Sequence, residues 1–410
     1  MTQVIDADAA SEAIRSAELR AGMVDELKKN GEIRSASIEA VMRKVRRELF
    51  APEATLAEVY APFTAVITKR DDEGNAVSSV SAPQVQAAML EDAGIEPGMR
   101  VAEFGSGGAN AAMLAELVGP DGLVVTADVD PEITDRAARF LPQAGYPQVK
   151  VVTIDAETGL ADFGPFDVIM VTFGAWDVPP AWRDQLVEGG RLVVPLRLLG
   201  LGRTITFVKH GDSLVGTSVR HFGFVPAQGS GAHRGMRLEL RGGQITFGLD
   251  DEFPVDTKAL GQALTTARFE IWSGARIGRT EPLATVQMRL ATTLRGFCWI
   301  SVTDEVDREV IDLRGKKSAV ATIETDGSFA YVLTRAADED SEVEFGVHAY
   351  GPSAEELAVR VAEELCTWSR DYRGSAGPAF QVDPAGTPEE QLPDGLVIDK
   401  AHSRITISWP

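Results

Sequence analysis

The sequence predicts an α/β fold: a mostly parallel sheet that ends in an antiparallel hairpin, with a second α+β region behind it. Three observations carry this. From Arg100 to Leu196 short apolar runs alternate with helical stretches. The first apolar run ends in an acid and a glycine cluster, Glu103-Phe104-Gly105-Ser106-Gly107-Gly108, and then becomes an Ala- and Leu-rich helix. After Leu196 the period changes, and Thr204–Lys209 and Ser213–Val219 read as a hairpin joined by His210-Gly211-Asp212. Apolar runs without alternation are what a parallel sheet buried on both faces requires.

The elements follow in order. Ile14, Ala17, Ala21, Val24 and Leu27 form a helical stripe over residues 11–29, and Ile38, Val41, Met42, Val45 and Leu49 form another up to Pro52. The charged stretch Lys69–Asn75 reads as a hairpin or loop tip, and Pro83 opens a helix running to Ala93. Strands are expected at 100–104, 123–128, 149–154, 166–172 and 190–196, with helices at 109–118, 131–141 and 180–187 between them. Residues 228–232 (Gln-Gly-Ser-Gly-Ala) read as a linker, residues 353–372 as an amphipathic helix with Ser353 and Glu356 as a capping box, residues 371–395 as a loop and residues 404–409 as a last strand. This gives N-terminal helices over 1–52, a core over 53–228 and a C-terminal α+β domain over 229–410.

Composition bounds the function. A net charge of −21 over 410 residues argues against a nucleic-acid phosphate backbone as partner. The one dense basic cluster, Arg43–Arg47, reads as a solvated helix face. Two cysteines and five histidines show no ligand spacing, so no metal is expected. No apolar run is long enough for a membrane span, and the N-terminus lacks the basic-then-apolar pattern of a signal peptide, so the expected location is cytoplasmic.

The glycine turn narrows the cofactor. A dinucleotide fingerprint needs a third glycine or alanine where Asn110 stands, and no GK[ST] is present. Glu103-x-Gly105-x-Gly107, with Asp128 closing the second strand, Asp155-Ala156 the third and Thr172 the fourth, points instead to S-adenosylmethionine (SAM). The glycines, with Ser106, would let backbone N–H groups approach the methionine portion. Asp128 would accept from the ribose hydroxyls, Asp155 from the adenine amino group, and Ala156 would offer its N–H. The sheet outline is then that of a class I SAM-dependent methyltransferase.

With those residues, others resemble the protein-L-isoaspartate O-methyltransferases. They are Arg47-Glu48-Leu49-Phe50-Ala51-Pro52, Val80-Ser81-Ala82-Pro83 with Met89-Leu90 after it, Val178-Pro179-Pro180, Gln185–Pro195 and Phe224-Val225-Pro226. The resemblance covers about half the chain and is most specific at Ser81-x-Pro83. It implies methyl transfer from SAM to a peptide carboxylate, with Ser81 as catalytic positioner and Val80, Ser81, Pro83 and Trp176 near the substrate. Ser81 can also be read as a helix cap, and Trp176 as a packing residue. Gln84 and the long C-terminal half depart from the family's repair enzymes and are similar to the lanthipeptide-associated FxLD-type branch. That similarity implies a modified precursor peptide as partner, its aspartate passing through a succinimide to isoaspartate, and a C-terminal domain that holds peptide. The alternatives are isoaspartate repair of damaged proteins and an inactive SAM-binding scaffold. The acidic run Asp338–Glu342 reads as a solvated loop or as a surface that meets a basic peptide segment.

Overall fold

The computed structural model describes residues 2–105, 107–337 and 341–410, with backbone only over 2–10. Helix α1 (Thr2–Lys29) and α2 (Ala36–Lys44), capped by the Ser35 hydroxyl, pack through Met23, Val24, Leu27, Ile38 and Met42. The basic cluster that follows is paired: Arg43 with Asp25 and Glu39, Lys44 with Glu116, Arg46 with Glu48. After the short α3 (Leu56–Val59), strands β1 (Val66–Arg70) and β2 (Ala76–Val80) form a hairpin whose tip is the charged stretch, closed by Asp71. Lys69 ties this hairpin to Asp130 at 2.5 Å. Helix α4 (Pro83–Ala93) starts on Pro83, whose missing N–H costs nothing at that position.

The alternating elements follow: β3 (Arg100–Phe104), α5 (Ala109–Val118), β4 (Leu123–Asp128), α6 (Pro131–Gln143), β5 (Lys150–Thr153), β6 (Phe166–Val171), α7 (Pro180–Asp184) and β7 (Leu186–Leu198). Strands β5, β4, β3, β6 and β7 lie side by side and parallel. The closing pair is β8 (Leu201–His210) and β9 (Ser213–Arg220), both antiparallel as the change of period implies. The expected helix 180–187 stops earlier, because Leu186 already belongs to β7.

Beyond Ala232 the structure departs from the expected division. Strands β10 (Met236–Leu240) and β11 (Ile245–Leu249), helix α8 (Thr257–Ala263), β12 (Phe269–Gly278), α9 (Ala284–Thr293), β13 (Phe297–Val302), β14 (Ser318–Ile323), β15 (Phe329–Ala336), β16 (Glu342–Tyr350) and α10 (Ala354–Thr367) build a seven-stranded antiparallel sheet with its helices. The chain then returns to the first sheet. Strands β17 (Ala379–Pro384), β18 (Leu396–Asp399) and β19 (Ser403–Ser408) extend it beyond β9, giving ten strands in the order β18-β19-β17-β9-β8-β7-β6-β3-β4-β5. The C-terminal half is therefore not one separate domain over 229–410, since its last three strands belong to the core sheet.

Packing follows the same continuity. One apolar cluster contains Val194 and Phe207 of the first sheet, Phe380 and Ile405 of the returning strands, and Leu357, Leu365 and Trp368 from the α10 region. The capping box expected at Ser353 is absent: its hydroxyl donates to Asp326 instead, and the helix has no side-chain cap. The expected loop 371–395 holds β17, where Phe380 and Val382 alternate inward. Of the acidic run, residues 338–340 lie outside the described residues.

Candidate functional site

The site lies at the C-terminal ends of β3, β4, β5 and β6, where open α/β sheets bind ligands. The glycine turn is shaped by contacts that exclude side chains. Gly105 has φ +98°, and a Cβ there would stand 2.5 Å from Thr172 Oγ1. Gly108 has φ +88°, and a Cβ there would meet the Phe50 ring at 2.9 Å. Phe50 is fully buried, so the Arg47–Pro52 segment packs directly against the turn. At Gly107 a Cβ would meet nothing closer than 4.0 Å, facing Ser79 O and Val80. That is open room between turn and hairpin, which a ligand held by backbone groups requires. Thr172 braces the turn from behind, its hydroxyl donating to Gly105 O at 2.6 Å.

Two adjoining cavities follow from there. The first is lined by Gly105, Asp128, Thr172, Ser78, Ser79 and Val225, among others. It presents a carboxylate and hydroxyls beside exposed backbone. The second continues past Ala156, Phe173 and Gln228 to Asp155, Trp176 and Trp182. Gln228 bridges the mouth by donating to Val77 O at 3.1 Å. A carboxylate at the strand β4 end, a glycine cradle and an aromatic recess match the ribose, methionine and adenine parts of SAM, so the donor set fits that cofactor.

Several expected residues have a different task. Glu103 is fully buried and does not reach either cavity. Its carboxylate takes hydrogen bonds from Asn110 Nδ2 at 2.8 Å and from Thr126 Oγ1, tying β3 to β4 and to the helix beneath the turn. Burial, assisted by the charge of Asp128 and opposed by those two hydrogen bonds, pushes it up to about 7. Val80 is 3% exposed and packs in the core, and Pro83 is buried at the start of α4, so neither offers substrate a surface. Ser106 lies outside the described residues.

Asp155 is present at the expected strand end but is already engaged. Its carboxylate accepts from Glu157 N at 3.0 Å and from Ser230 N at 2.8 Å. Burial alone would raise its pKa, yet these hydrogen bonds win and hold it below the usual range. The expected linker 228–232 is thus a fixed turn over the cavity. Gly229 has φ +73°, and a Cβ there would stand 2.4 Å from Asp155 Oδ2. Ala156 lines both cavities, and its carbonyl accepts from Trp182 Nε1 at 2.8 Å. Trp182 is a packing residue, stacked on Phe104. Trp176 lines the second cavity and lies flat on His233, with ring centroids 3.5 Å apart.

Ser81 sits half-buried between β2 and α4. The N-cap of α4 is Ala82, and no side chain caps the helix, so the capping role falls away. Among the described residues the Ser81 hydroxyl makes no hydrogen bond. Its carbonyl is held by Arg47, which is buried beyond the end of α2 and so departs from the solvated helix face expected of Arg43–Arg47. Arg47 is 1% exposed and donates to Ser81 O at 3.0 Å, to Val59 O at 3.2 Å and to Gln86 Oε1. Burial lowers its pKa to about 10, so it stays charged near neutrality and fixes the Ser81 turn.

Comparison with known proteins gives the family. The family described as protein-L-isoaspartate(D-aspartate) O-methyltransferase (PCMT) matches residues 18–232. A protein-L-isoaspartate O-methyltransferase of Methanopyrus kandleri is 38% identical over 179 residues, 43% of this chain and 76% of that protein. One of Thermotoga maritima is 35% identical over 195 residues, 47% of this chain, and the match spans 61% of that relative's length. A solved structure titled protein-L-isoaspartate O-methyltransferase is 25% identical, with a TM-score of 0.51, and covers 94% of this chain and 99% of its own. That span takes in most of the C-terminal half, so this half does not set the chain apart from that protein. With just over half of its residues matched, the chain belongs to the protein-L-isoaspartate O-methyltransferase family of SAM-dependent carboxyl O-methyltransferases.

Proposed function

We propose that the chain methylates the carboxylate of isoaspartyl residues in polypeptides, as the names of its relatives say of them. The observation that carries the reading is the Ser81 turn. Its hydroxyl is unengaged, its carbonyl is locked by buried Arg47, and it adjoins the hairpin residues Ser78 and Ser79 that line the first cavity. SAM, when bound, supplies a methyl group on a sulfonium for transfer to a carboxylate oxygen. Gly105, Gly107, Asp128 and Ala156 would hold it, with Thr172 bracing the turn.

What the chain itself must do is position. A carboxyl with a pKa of about 3.9–4.3 is already ionised at neutral pH, so no general base is needed. Orientation alone can supply roughly 7–11 kcal/mol of a barrier. Ser81 donates a hydrogen bond that orients the substrate carboxylate, while Arg47 keeps the donor in place. Gln228 and the turn at Gly229–Gly231 cover the cavity and limit access of water.

The similarity to the lanthipeptide-associated branch rests on Gln84 and the C-terminal half, and the coverage by the solved structure takes away the second of these. The test is a pair of peptides identical except for isoaspartate or aspartate at one position, incubated with SAM and followed by mass spectrometry. Repair activity gives a methyl ester on the isoaspartyl peptide alone. Esterification of the aspartyl peptide, with the isoaspartyl one untouched, refutes the proposal.

A further inference from the structure

The second cavity is not walled by the family-matched residues alone. Its outer side is Ala401 and His402, on the turn between β18 and β19. That turn is fastened to the loop after β6 and to β7 by hydrogen bonds and a cation–π contact. Asp177, buried at 7% exposure, accepts from His402 N at 2.7 Å and from Ser403 Oγ at 2.5 Å. Lys400 donates to Trp176 O and to Arg197 O at 2.9 Å, and its ammonium lies 3.6 Å from the centre of the Trp176 ring. A cation desolvated over an indole face is held firmly. The His402 ring, half-buried, stands 3.8 Å from Glu157 Oε2 across the cavity edge.

We propose that the β18–β19 turn completes the adenine end of the cofactor site, with His402, set against Glu157, as a specificity-determining contact for the nucleobase. This rests on the reading of the cavities as the SAM site. Adenine presents a donor amino group and ring-nitrogen acceptors on one edge. Asp155 already accepts two backbone N–H groups, so its capacity for the amino group is partly used. Glu157 and His402 lie next along the same rim and supply an acceptor and a donor or acceptor. Ala156, Phe173 and Trp176 offer apolar and aromatic surface for the ring faces. The C-terminal strands thereby act on the cofactor rather than only on a polypeptide substrate.

The test is calorimetric titration of the full chain with S-adenosylhomocysteine, using wild type, His402→Ala and His402→Trp. His402 is partly exposed, and its fold-anchoring contact is made by its backbone N–H, so both variants keep the wild-type melting temperature. The expected result is a loss of affinity of about tenfold in His402→Ala, and a larger loss in His402→Trp, which crowds the cavity. In turnover assays KM for SAM rises in both, while kcat at saturating SAM and KM for peptide stay at wild-type values. Wild-type binding with both variants within about twofold of it overturns the proposal and leaves the SAM reading intact. Failure of the wild type to bind overturns both.

Discussion

Glu103→Gln isolates a buried charge beneath the glycine turn. The folded carboxyl titrates at about 7, against an ordinary value of 4.5. Between those values the folded chain keeps a proton that the unfolded chain releases. The protonated form's stability is therefore complete below about pH 4.5 and lost as pH rises through about 7. At 1.36 kcal/mol per unit, a separation of about 2.5 units corresponds to about 3 kcal/mol lost across that window. Gln keeps an acceptor for Asn110 Nδ2 and faces its amide toward Thr126 Oγ1, which turns to accept, so the network survives without a titrating group. Denaturant unfolding at pH 5, 6, 7 and 8 should show wild-type stability falling relative to the variant by about 2.5 kcal/mol, the part of the loss that lies above pH 5. The affinity for S-adenosylhomocysteine should stay within about threefold, because the carboxylate has no surface on the cavity. Parallel pH profiles for the two chains would refute the burial argument. A drop in affinity beyond tenfold would restore Glu103 as a direct cofactor ligand.

Other substitutions separate binding from positioning. Ser81→Ala should lower kcat about tenfold, the worth of roughly one hydrogen bond, with S-adenosylhomocysteine affinity unchanged; equal turnover excludes the positioning role. Arg47→Met removes a buried cation and leaves Ser81 O, Val59 O and Gln86 without their donor, so it should cost about 3 kcal/mol in chemical denaturation and raise the peptide KM. Gly105→Ala places a Cβ 2.5 Å from Thr172 Oγ1 at φ +98°, and should abolish S-adenosylhomocysteine binding by calorimetry. A chain ending at Ala232 exposes the β9 edge and strips Asp177 of its C-terminal partners. It should lose the cooperative thermal transition of the full chain, and an unchanged melting temperature would refute that dependence.

What was readable in the sequence and what was not divides on range. Strands β3, β4 and β6 were legible because burial on both faces leaves largely apolar runs, uninterrupted in Val168–Val171 and broken only by Glu103 in Val101–Phe104. Asp128 and Asp155 could be placed because an acid closing such a run falls at a strand end. Glu103 satisfied the same pattern and was placed at the ligand, yet its side chain points under the turn. Strand position does not say which side of the sheet end a carboxylate serves. Arg47 carried no local signal, since its role depends on Val59, Ser81 and Gln86 converging from three other segments. Strand β17 was hidden because Gly and Pro on both sides outweighed the alternation of Phe380 and Val382. Lys400 meets Trp176 across 224 residues, a pairing no periodicity encodes.

The returning strands change what the C-terminal half means. A module added only to hold a substrate would need no more than a surface contact with the core. Here β17 pairs with β9, β19 with β17 and β18 with β19, so the core sheet ends only after the last strand of the chain. An antiparallel edge left at β9 would carry unpaired N–H and C=O groups and invite association. Pairing β17 with Leu214 and Val215 of β9 moves the sheet edge out to the four-residue β18 and also sets the β18–β19 turn beside Asp177 and Trp176. The returning strands therefore bring Lys400 and His402 to the rim of the cavity, where hydrogen bonds to Trp176, Arg197 and Asp177 hold them. On the proposed reading of His402, a change that loosens the returning strands reaches the adenine end before it reaches the Ser81 turn.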